Sequence, residues 1–236
     1  MPKKLKVPVL HFVTLFRRYM QTHLQLFITQ RIFPNLSYRF RLRWWNKVWE
    51  RQVDSQNLEI SIPDQLSVSV KNGWITPGCK VADIGCGSGE LTAWLAKNGF
   101  DAVGMDYSSE AIRIASKWVD RIDGKLSYVV GDICKLSVSG GPYDIVLDKG
   151  CLHGIPGRFH AICVENMAKS CKHGGKLLML YRVTRDTEQE KERLETLFLP
   201  FFIFEKVESS VMRRVAGNLS NIDLPCLAIW MVRNDH

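Results

Sequence analysis

The chain has 236 residues, of which 46% are hydrophobic and 24% charged, and this excludes a disordered protein and suits one large α/β domain with an appendage. No apolar stretch approaches the roughly 18 to 20 residues of a membrane-spanning helix. The net charge of +8 is uneven, since residues 1–51 carry eleven Lys and Arg and one acid.

Cysteine usage indicates a reducing compartment. The seven cysteines are scattered and form no CxxC pair, which argues against a disulfide framework and against a metal site. The basic start, Met1 to Lys6, is followed by a segment broken by charged residues and without a small-residue cleavage site, so we expect no secretory signal. The expected location is the cytoplasm.

The N-terminal segment, residues 1–43, is predicted to be a basic amphipathic helical extension of the domain at residues 44–236. Its apolar residues recur at steps of three and four and define one helical face: Val9, Val13, Phe16, Met20, Leu24 and Phe27. Pro34 limits this helix to about Phe33. The stretch from Tyr38 to Trp49 is dense in Arg and aromatic residues.

Four interpretations of this extension compete. It folds over the active site as a lid, it lies on an anionic membrane surface as a peripheral contact, it binds nucleic acid, or it is a packing helix with solvated arginines. The remaining residues have a net charge of −2, which argues against nucleic acid because such enzymes usually carry a basic track across the active face.

From Lys80 onward, short β-rich runs alternate with helical patterns, which is typical of a parallel sheet covered on both faces. Strands are predicted at Lys80–Ile84, Ala102–Asp106, Leu126–Val130, Ile145–Asp148 and Lys176–Arg182. Helices are predicted at Glu90–Asn98, Ser109–Asp120, Arg158–Cys171 and Thr187–Leu199, with Gly99 and His173-Gly174-Gly175 closing two of them.

Two strand-like runs at the end of the chain, Phe201–Val215 and Leu224–Val232, are joined by a turn-rich segment and predict an antiparallel hairpin. The predicted fold is therefore α/β, a doubly wound, mostly parallel seven-stranded sheet with a C-terminal antiparallel hairpin and an N-terminal helical extension.

A glycine-rich loop follows the first predicted strand, in the run Asp83-Ile84-Gly85-Cys86-Gly87-Ser88-Gly89. Glycines at these positions allow backbone geometry and close approach that a side chain would block. An acid precedes the loop, Asp106 ends the next strand, and Asp132 follows the third strand. Three acids at successive strand ends predict a ligand with hydroxyl and cationic groups rather than a pyrophosphate.

Together these residues resemble the Rossmann-like, class I S-adenosylmethionine-dependent methyltransferases. The resemblance implies S-adenosylmethionine as cofactor, with Asp83 near its methionine end and Asp106 on the ribose hydroxyls. It also implies that Asp132 contacts the adenine amine. The cofactor-binding set that it implies is Asp83, Gly85, Cys86, Gly87, Gly89, Asp106, Tyr107, Asp132 and Ile133.

The segment after the fourth strand, Asp148 to Ile155, contains the pattern D-x-G-x-x-H. It resembles the thiopurine, thiol and halide methyltransferase group, as does Trp45-Asn-Lys-Val-Trp49. The resemblance implies that Trp45 and Trp49 help to close the cofactor site. Ligands of doubly wound sheets bind at the carboxyl ends of the strands, so we expect Asp148 and His153 to be catalytic and to border the transferred methyl group.

His153 is the candidate acid/base residue, because a neutral imidazole can accept a proton near pH 7; the alternative is a structural histidine. Lys149 and Leu152 are predicted to contact substrate, although Lys149 could also simply cover the loop. The expected activity is methyl transfer to sulfur, oxygen or nitrogen of a small-molecule substrate. The alternatives are a protein lysine methyltransferase, which shares the Asp148-Lys149-Gly150 run, and a non-catalytic cofactor-binding module at a membrane. No pattern predicts an oligomer.

Overall fold

The computed structural model describes residues 34–50, 62–183, 186–214 and 222–234. The helix predicted over residues 9–33 therefore lies outside the described residues. The first described element is helix α1 (Pro34–Glu50), which begins at the proline predicted to end the preceding helix. The chain divides into two units within α1, between Trp45 and Asn46.

The second unit contains a seven-stranded sheet in the order β3-β2-β1-β4-β5-β7-β6. Strands β1 to β5 pair in parallel, and β7 runs antiparallel between β5 and β6, so that six of these seven strands share one direction. This arrangement confirms the predicted fold class. The strands are β1 (Lys80–Ile84), β2 (Asp101–Asp106), β3 (Leu126–Val130), β4 (Tyr143–Lys149), β5 (Cys171–Arg182), β6 (Phe202–Arg214) and β7 (Ile222–Arg233).

Helices cover both faces of the sheet. They are α2 (Asp64–Lys71), α3 (Glu90–Lys97), α4 (Ser109–Ala115), α5 (His160–Ser170) and α6 (Thr187–Phe198), with 3₁₀ turns at Ser116–Arg121, Leu152–Gly154 and Gly157–Phe159. One apolar cluster joins α2 and α3 to one face of the sheet, and a second joins α5 and α6 to the other. Burial of these two clusters is the main stabilising contribution to the fold.

The helix that was predicted over Ser109–Asp120 is wrong at its C-terminal end. The α-helix stops at Ala115 and continues as a 3₁₀ turn. The Ser116 hydroxyl donates a hydrogen bond to the Ile112 carbonyl at 2.8 Å, and this kind of side-chain bond competes with the helical ladder.

The predicted closure of the next helix by His173-Gly174-Gly175 is also wrong. That helix begins at His160, ends at Ser170, and passes directly into β5 at Cys171. Tyr143 pairs with Cys171 and Ile145 with Lys176, so the glycines form an irregular excursion inside a strand. Gly174 has a φ of +67°, which explains why glycine is needed there.

The carboxyl ends of β1, β2, β3, β4 and β5 lie at one edge of the sheet because these strands are parallel. The same edge carries the glycine loop and most of the acids that were singled out from the sequence.

Among the described helices, none is long and apolar enough to cross a membrane.

Candidate active site

The loop after β1 has a backbone conformation that glycine adopts readily and other residues do not. The φ angles are +71° at Gly85, +57° at Gly87 and +82° at Gly89. A Cβ atom on Gly85 would lie 2.6 Å from the Cβ atom of Cys151, and one on Gly87 would lie 2.8 Å from the Trp49 ring. Side chains are thus excluded both by the backbone and by close neighbours.

Two aromatic residues that the sequence analysis did not single out hold this loop. The Tyr128 hydroxyl donates to the Gly89 carbonyl at 2.7 Å, and the Trp118 indole N–H donates to the Ser88 carbonyl at 3.0 Å. Both are distant in sequence from the loop, so no local pattern identifies them. Together with Trp49 they fix the loop on its neighbouring elements.

Cys86 contributes backbone and packing to the loop rather than reactivity. Its N–H donates to the Met105 carbonyl at 3.1 Å. Burial raises the pKa of the Cys86 thiol, and the nearby carboxylates of Asp83 and Asp106 raise it further. A thiol that remains protonated is a poor nucleophile.

Asp83 is a buried carboxylate at the end of β1, with 1% of its surface exposed. It accepts a hydrogen bond from the Thr92 hydroxyl of α3 at 2.7 Å. Burial raises its pKa to about 6, whereas the Thr92 bond and the Lys149 charge lower it. The surroundings of Asp83 compensate the negative charge of this buried carboxylate only in part. The site is therefore suited to binding a cationic group of a ligand.

Asp106 ends β2 and connects that strand to the glycine loop. Its two oxygens accept backbone N–H bonds from Gly87 at 3.1 Å and from Ser108 at 2.9 Å. Burial raises its pKa to about 6, and these N–H bonds oppose the rise. Each carboxylate oxygen has a second lone pair, so further hydroxyl donors can be accepted.

The Asp132 segment follows β3 and joins the same edge. The Gly131 N–H donates to the backbone carbonyl of Asp106 at 2.9 Å, which links the ends of β3 and β2. Asp132 accepts the Cys134 N–H at 3.0 Å. The Ile133 carbonyl accepts a bond from the Asn166 amide at 2.8 Å, so this segment is fixed to α5.

Asp148 holds the turn after β4. Its oxygens accept the backbone N–H groups of Cys151 at 2.7 Å and of Leu152 at 3.0 Å. Burial raises its pKa to about 7, and these bonds oppose the rise. The predicted catalytic role of Asp148 stays a prediction; the observed contacts assign it the shape of this turn.

His153 lies in that turn, half-buried, and contacts Tyr181 of β5. The two rings meet edge to face, with centroids 6.0 Å apart. A Cβ atom on Gly150 would lie 2.8 Å from Cε1 of His153 and 3.3 Å from the Met212 sulfur. The imidazole is therefore at the carboxyl edge between β4 and β5, and its role toward an acceptor stays a prediction.

Lys149 and Leu152, the two residues predicted to contact substrate, lie in different surroundings. Lys149 is half-buried; burial lowers its pKa, while the nearby carboxylates of Asp83 and Glu90 raise it. It therefore faces the cofactor side of the edge. Leu152 is completely buried in the apolar core, which favours a packing role.

A network on α6 supports the turn that carries His153. Arg193 donates to the Tyr181 hydroxyl at 2.9 Å, to Glu190 at 2.7 Å and to Nδ1 of His160 at 3.1 Å. Because a guanidinium can only donate, Nδ1 of His160 accepts and its Nε2–H donates to the Ile155 carbonyl at 2.8 Å. His160 is thus a structural histidine.

The remaining predicted cofactor residues lie on α1 and after β2. Trp49, in the second unit, packs against Gly87. Trp45 lies in the first unit and contacts Trp44 edge to face, with ring centroids 4.8 Å apart; its cofactor contact stays a prediction. The Tyr107 N–H is one of the donors that lower the pKa of Asp106. In the described part of the chain there is no group of three or more potential metal ligands.

Residues 81–175, which run from β1 to the start of β5, match a family model described as a methyltransferase domain. Over this stretch the chain therefore resembles a methyltransferase domain. The match includes the glycine loop, Asp106, Asp132 and the turn at His153, whereas Trp49 and the carboxyl end of β5 lie outside it.

Curated relatives of the domain act on different kinds of acceptor. The chain is 30% identical over 135 residues to a ubiquinone biosynthesis O-methyltransferase of Aliivibrio fischeri, covering 56% of this chain and 55% of that protein. It is 36% identical over 85 residues to a protein-lysine N-methyltransferase of Saccharomyces cerevisiae, covering 34% of this chain and 37% of that protein. The chain thus spans about a third to about a half of the length of these relatives.

Solved structures share the fold of this chain. The N-methyltransferase NodS of Bradyrhizobium japonicum, in complex with S-adenosyl-L-homocysteine, has a TM-score of 0.59 and 17% identity, covering 81% of this chain and 99% of that one. TehB of Haemophilus influenzae has a TM-score of 0.62 and 17% identity, covering 78% of this chain and 66% of that one.

Proposed function

We propose that the protein transfers a methyl group from S-adenosylmethionine to a sulfur, oxygen or nitrogen atom of a small molecule. The observation that carries the proposal is the position of His153. It lies in the turn after β4, at the edge of the sheet that also carries the glycine loop. The carboxylate of Asp148 shapes this turn by accepting two backbone N–H groups, and we assign proton acceptance to the imidazole of His153.

The residues at the edge fit the cofactor. Asp83 and Asp106 are buried carboxylates whose pKa is raised to about 6, so that a cationic amino group and ribose hydroxyls would compensate their charge. Asp132 would take the adenine amine. The cofactor supplies an electrophilic methyl group on a sulfonium.

The chain's own residues then orient the acceptor and manage its proton. Transfer of a methyl group is an in-line displacement, for which positioning is the main contribution. A hydroxyl or a neutral amine also loses a proton, and His153 accepts it. A thiolate needs no base.

The acceptor's need for a base gives a direct test. We expect His153→Gln to lower kcat about 10²-fold or more for phenols and neutral aromatic amines, and much less for thiols assayed above their pKa. The assay measures S-adenosylhomocysteine release and methylated product by mass spectrometry. His173→Gln is the matched control, because His173 is exposed and bonds the Asn234 carbonyl away from this edge. Equal losses for thiols and phenols would argue against a base.

A protein lysine methyltransferase is the second candidate, and the observation that favours it is the 36% identity to the yeast lysine methyltransferase. Incubation of the protein with isotopically labelled cofactor and a cell lysate separates the two. We expect label in the small-molecule fraction. Label confined to protein bands would favour the lysine enzyme, and cofactor binding without any label transfer would favour a non-catalytic module.

A further inference from the structure

Arg182 lies at the carboxyl end of β5, next to the turn that carries His153. Lys149 pairs with Leu180 in the register of β4 and β5, and Arg182 is two residues beyond Leu180. Because side chains alternate along a strand, Arg182 and Leu180 share one face. Lys149 shares that face with Leu147 for the same reason, so two cations on adjacent strands project from the same side of this edge.

The guanidinium of Arg182 has an unmet hydrogen bond. Within the part of the chain that the structure describes, its Nε–H is buried and has no acceptor. A buried donor without an acceptor is destabilising, so native structures rarely keep one unless a ligand, an ion or water satisfies it.

Apolar residues of the described chain lie on the strand next to Arg182. Arg182 lies opposite Cys226 of β7, and Cys226 belongs to a buried apolar cluster with Leu180 and Met212. Met212 in turn approaches Gly150, beside the His153 ring.

We propose that Arg182, assisted by Lys149, binds an oxyanion on the methyl acceptor, either a carboxylate or a phosphate. This inference rests on the proposed function and adds the class of substrate to it. The Nε–H and one terminal N–H of an arginine form a fork that matches two oxygens of such a group. An acceptor bound in this way is held by its anionic end at the carboxyl edge of the sheet.

The test measures binding of matched probes to the complex of the protein with S-adenosylhomocysteine. Benzoate and phenyl phosphate carry the oxyanion, and benzamide is the neutral counterpart of benzoate. We expect the wild type to bind at least one of the anions more tightly than benzamide. Arg182→Gln should weaken binding of that anion about tenfold or more, because hydrogen bonds to charged groups contribute about 1.5–3 kcal/mol, and leave benzamide unchanged.

Two further variants define the role of the fork. Arg182→Lys keeps the charge and loses the Nε–H, so it should restore only part of the anion preference, and it replaces the glutamine variant if that variant does not fold. Arg113→Gln is the matched control, because Arg113 is an exposed arginine of α4 that pairs with Glu110 at 2.8 Å. It should leave binding unchanged.

Each result supports or contradicts a particular claim. Absence of any preference for benzoate or phenyl phosphate over benzamide would overturn the inference, as would an equal effect of Arg113→Gln. A preference for benzoate alone assigns the site to carboxylates, and a preference for phenyl phosphate alone assigns it to phosphates. Titration of the wild type with S-adenosylhomocysteine is read separately: failure to bind it contradicts the proposed function, whereas binding it without an anion preference contradicts this inference only.

Discussion

Asp106 and Asp148 are both buried carboxylates at the end of a strand, yet their oxygens have different partners. Asp106 accepts an N–H from Gly87 in the glycine loop, and Asp148 accepts the N–H groups of Cys151 and Leu152. The first carboxylate therefore shapes the cofactor loop, and the second shapes the turn that presents His153. The same residue type, at the ends of two strands, thus holds two different segments of the site.

Replacement of Asp106 should impair cofactor binding more than folding. In Asp106→Ala, the Gly87 and Ser108 N–H groups lose their acceptor and the ribose loses its proposed partner. We expect the dissociation constant for S-adenosylhomocysteine, measured by calorimetry, to rise about tenfold or more, since lost bonds to a charged group contribute about 1.5–3 kcal/mol.

Asp123→Ala is the control for this change, because Asp123 is exposed and lies before β3. Its affinity should equal that of the wild type. If Asp106→Ala bound the ligand as tightly as Asp123→Ala does, Asp106 would have no role in the cofactor site.

At the scale of elements, strands were predictable as short β-rich runs, both where they are buried, as in β1, and where they are partly exposed, as in β3. The predicted bounds of β1 and β3 agree with the structure, and β4 was predicted three residues short. The loop between β1 and α3 was also predictable, because its glycines meet a local backbone requirement. Helix α2 was missed, since its eight residues include two serines and few apolar residues.

Contacts between distant elements could not be predicted from spacing. Trp49 against Gly87, Tyr128 on Gly89 and Arg193 on Tyr181 each depend on where the chain returns after a long separation. The unsatisfied Nε–H of Arg182 belongs to the same class, because burial of a single atom is set by packing. Sequence patterns identified the edge of the sheet, and tertiary packing decides which side chains meet there.

A comparison of Gly85 with Gly73 separates the effect of packing around the glycine loop from the effect of backbone strain. Their φ angles are +71° and +74°, but a Cβ atom on Gly73 would meet nothing within 4 Å, whereas one on Gly85 would collide with Cys151. We expect Gly73→Ala to lower the free energy of unfolding by about 1 kcal/mol.

Gly85→Ala should lower that free energy by about 2–4 kcal/mol, because displacement of Cys151 adds to the strain. It should also abolish binding of S-adenosylhomocysteine, which Gly73→Ala should retain. Denaturant unfolding and ligand titration measure both quantities. Equal losses of stability in the two variants would mean that Cys151 moves aside at little cost.

For the molecule as a whole, the buried acids link folding to pH. Burial raises the folded-state pKa of Asp148 to about 7, from 3.8, so the folded protein binds this proton more tightly than the unfolded chain does. The contribution to stability is complete below about pH 4 and is lost as the pH rises to about 7. At 1.36 kcal/mol per pKa unit, the loss is on the order of a few kcal/mol.

This linkage is measured as a difference between proteins. The free energy of unfolding of the wild type minus that of Asp148→Asn should decrease between about pH 4 and pH 7, because asparagine does not titrate. Asp123→Asn, at an exposed position, should give a difference that is flat above pH 5. A flat difference for Asp148→Asn would contradict the raised pKa.

The pairing of β1 with β4 has a consequence for the order in which the protein folds. Two other strands and two helices lie between β1 and β4 along the chain, and pairings between distant segments form slowly because loop closure is costly. Cys151 packs against the glycine loop, and the charge of Lys149 comes close to Asp83, only after β4 has joined the sheet. The edge therefore becomes able to bind cofactor only late in folding. Cofactor that binds the completed edge, and not the earlier states, stabilises the native state.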